Sequence, residues 1–365
     1  MQYIVTKPLF VLFFLALTST ICSSHAQPRC PQVFGKSSLP FQISELENEF
    51  QDGQTLLAQK ETRIRFEGTQ GRDVYNPTAP FKIHFFGREI KVIAARTESR
   101  DSETDTEIWF FTKTGPLSYA PLMIQGSPFV FNGENLQDPF FSQIGDETFI
   151  GGVRVEEDPS RNDGALRYRT VFFRGTSLEG MKEFAQGPWG MKDIRFAQFV
   201  DQTGQQKLFL LTRPQGTALN GGRGKLAYTV LSSIDELNSE SILSARLIDD
   251  QIVESQWIGG NEIHLLANGK IGLLAHVARF DEDGNRHYYP VALTLDPSTG
   301  ETTRPKLLAM RQYLEGGVDI SRSKRAGLAD VLFSGGLEIV SKNEVYLWLG
   351  AGDAETHRVR IHSPF

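Results

Sequence analysis

The chain has 365 residues, of which 40% are hydrophobic and 22% charged, the composition of an ordinary globular protein. Its formal net charge is −6 and it contains no block of basic residues, which argues against a nucleic-acid-binding protein. The 26 phenylalanines and 34 glycines indicate a β-rich fold, because aromatic runs broken by glycine turns are typical of strands and hairpins.

Residues 1–26 have the pattern of a secretory signal sequence. Lys7 supplies a positive charge, residues 9–17 form an uninterrupted apolar run, and Ala26 is a small residue of the kind that a signal peptidase recognises. The apolar run is too short to span a bilayer. We therefore expect a secreted or periplasmic protein with no membrane span, whose mature chain begins near Gln27.

Beyond the signal sequence, residues 27–60 are interpreted as an N-terminal lead-in and residues 61–365 as one β domain. Only 43–50 and 234–243 have helical periodicity. Strand-like runs separated by turn signals follow one another along the chain, and they cover 62–67, 82–86, 89–96, 106–112, 148–155, 168–173, 195–199, 207–212, 225–231, 271–280, 288–295, 336–339 and 344–349. So many short strands predict an all-β sandwich, barrel or propeller. The length suits five four-stranded blades, although no exact repeat decides among the three.

Asp138 is the first candidate for chemistry. It precedes Pro139, which excludes the α region and predicts an extended or turn backbone. The preceding Asn132-Gly133 and the strand-like run 147–155 place it in a loop that leads into a strand. This placement suits an acid that points into a cleft, and it is also common in ordinary surface turns.

Two charged clusters admit a structural and a functional interpretation. Arg96, Glu98 and Arg100 share one face if their stretch is extended. Such a group is either an exposed ion-pair ladder of little energetic value or a polar rim that binds sugar hydroxyls or an anion. Lys192 and Asp193 allow the same two interpretations.

The sequence lacks the motifs of several other enzyme classes. It contains no Gly-x-Ser-x-Gly elbow, no His-Glu-x-x-His, no Walker loop and no paired-cysteine site, so we expect neither a metal nor a cofactor. What remains is an acidic, arginine-bearing and aromatic cleft. Glycosyl transfer suits such a cleft, because an inverting reaction needs an acid at the leaving oxygen and a nucleophile on the opposite face.

Taken in order, the polar clusters resemble glycoside hydrolase family 130, the inverting β-mannoside phosphorylases and hydrolases, and the related mannosyltransferase/phosphorylase group, glycosyltransferase family 108. The similar segments are Tyr75-Asn76-Pro77, the Arg-x-Glu run from Arg96 to Ser102, Gln137-Asp138-Pro139, Met191-Lys192-Asp193, Gly259-Gly260-Asn261-Glu262, the strand from His287 to Asp296, and Gly350-Ala351-Gly352-Asp353. Gln137 departs from the family pattern, which has glutamate before the Asp-Pro pair.

The resemblance implies a five-bladed β-propeller with a polar central pocket and an oligosaccharide substrate. It implies that Asp138 is the general acid, acting directly or through a sugar hydroxyl. The substrate-binding residues it implies are Asn76, Arg96, Glu98, Arg100, Lys192, Asp193, Glu262, His287, Asp330 and Asp353.

The nucleophile implied by the resemblance is phosphate, water or an acceptor sugar. Inorganic phosphate as a co-substrate would draw on the basic side chains Arg96, Arg100, Lys192, Arg195, Arg213, Arg223 and His287. Hydrolysis would need a second carboxylate, for which Glu98, Glu262 and Asp330 are the candidates. Export favours hydrolysis, because phosphate is not reliably abundant outside the cytoplasm. The alternative is a propeller that binds glycans without turnover, and the sequence carries no signal for an oligomeric state.

Overall fold

The computed structural model describes residues 40–52, 55–57, 59, 61–102, 104–133, 135–248 and 251–365. The predicted signal sequence, residues 1–26, and the first part of the predicted lead-in, residues 27–39, lie outside the described residues. Strands dominate the rest. The two α-helices are α1 (Ile43–Asp52) and α2 (Ser239–Leu243), and 3₁₀ turns occur at Leu178–Gly180, Thr217–Leu219, Ile234–Glu236, Arg311–Tyr313, Ile320–Arg322 and Ala326–Leu328.

The strands follow one another as antiparallel meanders. The first meander contains β1 (Arg65–Phe66), β2 (Asp73–Tyr75), β3 (Phe81–Phe85), β4 (Arg88–Glu98), β5 (Glu107–Gly115) and β6 (Ser118–Pro121), and a small hairpin of β7 (Met123–Ile124) and β8 (Ser127–Pro128) follows it. The second meander contains β9 (Leu136–Ile144), β10 (Glu147–Glu157), β11 (Leu166–Gly175) and β12 (Lys182–Gln186).

Three further meanders complete the chain. The third contains β13 (Arg195–Val200), β14 (Gln206–Thr212), β15 (Ala227–Leu231) and β16 (Arg246–Leu247). The fourth contains β17 (Trp257–Leu265), β18 (Ile271–Phe280), β19 (Arg286–Leu295) and β20 (Lys306–Leu307), and the last contains β21 (Asp330–Ser341), β22 (Glu344–Ala351) and β23 (Glu355–His362). A short parallel pairing of β19 with β21 joins the last two meanders into one sheet.

The core lies between the meanders. Each pair of neighbouring meanders encloses its own cluster of buried apolar side chains, and the last meander shares one with the first, through Trp348 and Ile93. Burial of each large side chain stabilises the fold by about 1.5–3 kcal/mol. The apolar strands therefore hold a closed succession of sheets, with no single central core.

The described part of the lead-in belongs to this arrangement. Helix α1 buries Ile43, Leu46 and Phe50 in the cluster between the third and fourth meanders. The chain then runs beside β23, where Arg63 pairs with His357 and the Ile64 amide donates to the Thr356 carbonyl at 2.9 Å. The segment that follows α1 therefore runs along the edge of the last sheet.

The first strand is irregular at one place in four of the five meanders, whereas β13 of the third meander pairs with β14 without a shift. In the first meander β2 stops at Tyr75 and β3 resumes at Phe81. In the second, Asp138 and Pro139 fall outside the register between β9 and β10. Register shifts at Asn261 in β17 and at Gly335 in β21 repeat the pattern. Because a bulge re-aims the side chain it carries, these breaks direct polar groups away from the apolar seams.

Candidate active site

Asp138 occupies the break in β9. Its φ of +48° is left-handed, so the turn expected from the sequence takes a strained form that aspartate tolerates better than most residues. The side chain is buried, with 4% exposed. Its Oδ1 accepts a hydrogen bond from Asn76 Nδ2 at 2.7 Å, and Arg96 Nη1 lies 3.7 Å from the same oxygen. An acid is therefore held in a defined orientation beside an amide and a guanidinium.

Arg96 and Glu98 form a buried pair at the end of β4. Arg96 donates from Nη2 and Nε to Glu98 Oε2 at 2.7 and 3.1 Å, and Glu98 is completely buried. The hydroxyl of Tyr75 and the ammonium of Lys324 both donate to the other oxygen, Oε1. This burial excludes the exposed ion-pair ladder for these two residues.

The carboxylates around Arg96 also set its protonation. Burial alone lowers the pKa of the guanidinium, but Tyr75, Asp138 and Glu98 hold that pKa above its ordinary value. Arg96 therefore stays charged beside Asp138.

Asp353 faces the same group from the turn after β22. Its backbone is left-handed, with a φ of +51°. Burial raises the pKa of its carboxyl, Asp138 and Glu98 raise it further, and Arg96 and Lys192 lower it. Asp353 is therefore a weaker acid than an ordinary aspartate, close to the charges of the Asp138 cluster.

Asp193 anchors a second group just before β13. It also has left-handed backbone, with a φ of +61°, and its Oδ2 accepts a hydrogen bond from Arg213 Nη1. His276 Nε2 lies 3.8 Å from that oxygen. Although burial raises the pKa of Asp193, Arg213 and the other nearby cations lower it more. Asp193 is therefore ionised.

His276 is held neutral. Its pKa is lowered to about 3, chiefly by burial and also by Arg213 and Lys192, against the opposing effect of Asp193. Its Nδ1 lies 2.8 Å from Asn261 Oδ1, so Nδ1 carries the proton and donates it to the amide oxygen. The lone pair of Nε2 is left available to a donor.

Lys192 and Arg195 bring positive charge without a bound carboxylate. Arg195 donates from Nε to the Asn261 carbonyl at 2.7 Å and lies over the Phe140 ring at 4.2 Å. Burial lowers the pKa of Arg195, while Asp193 and Asp138 raise it. Burial also lowers the pKa of Lys192, but Asp193 and Asp138 raise it to a net value above normal. Within the described chain, neither cation forms an ion pair.

The structure thus brings together six of the residues singled out from the sequence besides Asp138. They are Asn76, Arg96, Glu98, Lys192, Asp193 and Asp353.

Arg100, His287 and Asp330 lie apart from this cluster. Arg100 follows the end of β4, so it does not continue the face of Arg96, and its Nη2 donates to Asp73 Oδ1 at 2.8 Å. His287 and Asp330 bind each other, with His287 Nδ1 2.7 Å from Asp330 Oδ2, because the β19–β21 pairing sets them side by side.

Glu262 has local partners as well. Its Oε2 lies 2.7 Å from His264 Nε2 and accepts the Leu337 amide at 2.8 Å. It lines a largely apolar cavity of about 200 Å³ with Phe81, Phe140 and Phe141. Its carboxylate therefore braces β21.

Sequence reasoning missed several contributors. His276 stands alone within the apolar run of β18, and that isolation was the available signal. Tyr75 and Asn261 stood in segments that carry the resemblance but were not singled out, and Lys324 gave no signal, because each acts through a partner distant in sequence.

The described residues show neither a metal-binding cluster nor a membrane-spanning helix. No group of three or more histidine, cysteine, aspartate or glutamate side chains there could hold a metal ion. No helix in that part of the chain has the length and apolar character needed to cross a membrane.

Comparison with known proteins places the chain in context. The sequence profile of a family described as a protein of unknown function, DUF1861, matches residues 49–365. Curated protein sequences give no match. The mannose phosphorylase MPT-4 of Leishmania mexicana, solved in complex with a phosphate ion, has a TM-score of 0.74 and 28% identity, over 88% of this chain and 93% of its own.

Two more solved structures are similar. The GDP-Man-dependent mannosyltransferase MPT-1 of Leishmania mexicana has a TM-score of 0.72 and 27% identity, over 88% of this chain and 94% of its own. The β-1,2-mannobiose phosphorylase of Listeria innocua has a TM-score of 0.54 and 12% identity, over 80% of this chain and 91% of its own, and so shares the fold. These neighbours confirm the resemblance indicated by the sequence motifs.

Proposed function

The chain belongs to the family DUF1861, and we propose that this member is an inverting enzyme that transfers a mannosyl unit from a β-mannoside to inorganic phosphate. The Leishmania mannose phosphorylase and mannosyltransferase, at 28% and 27% identity over most of both chains, support mannosyl chemistry. The five successive meanders, four of which have a break in the first strand, support a five-bladed β-propeller whose pocket lies where those breaks converge.

Asp138 is the general acid in this proposal. Its neighbour Asn76 orients the carboxyl, and its burial excludes bulk water from the reacting atoms. In the forward direction a phosphate oxygen attacks C1 of the mannosyl unit as the C1–O bond to the next sugar breaks. Asp138 supplies the proton to the leaving oxygen, directly or through a sugar hydroxyl. The products are α-mannose 1-phosphate and a saccharide shortened by one unit.

One observation carries the choice of phosphate: Lys192 and Arg195, both influenced by Asp138, have no carboxylate partner among the described residues. Arg195 is buried and Lys192 is half-buried, so their unpaired charges are costly, and a bound phosphate offsets that cost through charge-assisted hydrogen bonds. The neutral His276 adds an acceptor for a protonated phosphate oxygen.

Hydrolysis is the second candidate, favoured by the signal sequence and the secreted or periplasmic location that we propose from it. It requires a carboxylate free to activate water. Glu98 is engaged by Arg96, Tyr75 and Lys324, and Glu262 is engaged by His264 and the Leu337 amide. Asp330 is bound by His287, so the carboxylates named for this role have other partners.

The test is turnover of β-1,2- and β-1,4-linked mannobiose by the purified protein, with and without inorganic phosphate. We expect mannose 1-phosphate only when phosphate is present, and Lys192→Met should raise the KM for phosphate about tenfold or more. Free mannose in both buffers would instead establish a hydrolase. Saturable binding without any product would favour the non-catalytic glycan-binding propeller.

A further inference from the structure

We propose a second anion-binding subsite at the mouth of the pocket, where Arg223 and Arg286 flank the rings of Trp257 and Phe280 and take a negatively charged substituent on the outer part of a saccharide substrate. The inference deepens the proposed function and rests on it. We call these four residues the arginine shelf.

A series of rings connects the shelf to the centre of the site. The His276 ring stacks on Tyr288, with 5.5 Å between centroids and 19° between planes. Tyr288 meets Trp257 edge to face at 5.5 Å, and Trp257 meets Phe280 at 5.1 Å. Exposure rises along the series, from 1% at His276 and 5% at Trp257 to 39% at Phe280. The series therefore runs from the buried site to solvent.

Strand direction puts the shelf on the same side as Asp138. Trp257 opens β17 four residues before the break at Asn261, just as Leu136 opens β9 two residues before Asp138. Arg286 opens β19 and pairs in register with Phe280 at the end of β18. The shelf thus lies at the same edge of the sheets as the start of β9, which carries Asp138.

The two guanidinium groups gather around one ring. Arg223 Cζ lies 5.2 Å from the Phe280 centroid and 6.0 Å from that of Trp257, and Arg286 Cζ lies 5.8 Å from the Phe280 centroid. Two like charges in contact with one exposed ring repel each other, and an anion bound between them would offset that repulsion.

Neither arginine has a carboxylate partner among the described residues. Two nearby acids are engaged by other groups, since Glu254 binds Lys225 at 2.6 Å and Asp281 lies 3.2 Å from His287. By contrast, the exposed Arg161 is paired with Asp163 at 2.5 Å. The shelf therefore keeps positive charge available to a ligand.

The chemistry favours a saccharide that carries a phosphate or a carboxylate. Guanidinium groups bind both anions in a bidentate manner, and the exposed ring of Phe280 can pack against the apolar face of a sugar ring. A neutral glycan would use the Phe280 ring alone. Arg223, placed among the possible phosphate ligands from the sequence, is thereby assigned to the mouth of the pocket.

The test compares kcat/KM for mannobiose with that for mannobiose in which the leaving sugar, the one released when the bond is cleaved, bears a 6-phosphate or is a uronic acid. We expect the wild type to prefer either charged substrate about tenfold. The double variant Arg223→Gln/Arg286→Gln should lose that preference and keep its kcat/KM for neutral mannobiose. Arg88→Gln, at an exposed arginine of the first meander, is the matched control and should change neither value.

Calorimetry measures the binding of the same saccharides independently of turnover, so it tests the shelf separately from the proposed activity. Tighter binding of the charged saccharide that depends on the two arginines supports the shelf even if no mannobiose is cleaved, in which case the proposed function alone fails. Equal affinity for neutral and charged saccharides, or a preference retained in the double variant, overturns it. GDP-mannose is titrated in the same way. If the arginine pair affects the binding of GDP-mannose alone, the anion belongs to a nucleotide donor and the glycan assignment is wrong.

Discussion

Asn76, Asp138, Asp193 and Asp353 all have left-handed backbone, which costs an ordinary residue energy that asparagine and aspartate tolerate best. Strain of this kind persists only where the surrounding structure enforces it. Here the strained backbone fixes the orientation of the side chains, because Asn76 binds Asp138 and Asp193 binds Arg213. The residue types at these four positions are therefore dictated by backbone conformation as well as by charge.

The neutral state of His276 has a consequence for stability. Its pKa is about 3 in the folded protein and near the ordinary 6.5 when unfolded, so the unfolded chain binds the extra proton between these values. The free energy of unfolding should therefore be highest above pH 6.5 and fall as the pH drops towards 3. His276→Gln should reduce the slope by at most one proton, about 1.4 kcal/mol per pH unit. Urea unfolding at several pH values measures it, and an unchanged slope in the variant would contradict a neutral buried His276.

The site residues differ in how far the sequence could predict them. Asp138, Arg96 and Lys192 stand in local motifs whose order along the chain marks them. His287 and Asp330 carry equally strong local signals, yet a parallel strand pairing across 43 positions turns them towards each other. Such pairings are long-range and leave no local trace.

At the scale of the strand, the breaks depend on close approach by a neighbouring backbone. Gly350 in β22 faces Asn76, and a Cβ built at that glycine would overlap the Asn76 amide oxygen and backbone. Gly335 leaves room in the same way for the Pro77 carbonyl. These glycines let the first and last meanders meet beside the acid.

Gly350→Ala should therefore disturb both stability and catalysis. Overpacking of this kind costs about 1–3 kcal/mol, and displacement of Asn76 should release Asp138 and lower kcat. Gly327→Ala is the matched control, because a Cβ there meets only ordinary contacts. Thermal unfolding and initial rates of both variants measure the effects. Equal behaviour of the two variants would show that the close approach does not matter.

The predicted elements match the structure where the hydrophobic pattern is uninterrupted. The helix expected over 43–50 is present as α1, and the strand expected over 271–280 is β18. The first strands β9 and β17 were missed, because Asp138-Pro139 and Gly259-Gly260 are turn signals in isolation. These residues break the strand pattern at the site, and for the same reason the sequence did not predict the strands that carry them. The helix expected over 234–243 divides into a 3₁₀ turn and the short α2.

For the whole molecule, Glu355 links the segment before the first meander to the segment before the last one. Its Oε1 lies 2.9 Å from Arg63 Nε, beside the N-terminal segment, and its Oε2 lies 2.7 Å from Arg311 Nη2. Burial raises the pKa of this carboxyl, but His357, Arg63 and Arg311 together lower it to about 2. Glu355 therefore remains ionised and bridges the segments that close the last sheet.

Glu355→Gln should destabilise the protein by about 3–5 kcal/mol, because it leaves the buried Arg311 without its charge partner. Glu344→Gln removes the carboxylate from an exposed pair with Arg360 and should cost about 1 kcal/mol or less. Denaturant unfolding of the two variants compares them. A loss at Glu355 no larger than at Glu344 would contradict a closing role for this carboxylate.

The most direct measurement of the central proposal is the anomeric configuration of the first product. The purified protein, β-1,2-mannobiose and inorganic phosphate are followed by proton and phosphorus NMR, beside Asp138→Asn, a substitution that suits the left-handed backbone. We expect α-mannose 1-phosphate as the initial product, formed at least about 100-fold more slowly by the variant. β-Mannose 1-phosphate, free mannose, or an unaffected variant would contradict inverting transfer to phosphate with Asp138 as the acid.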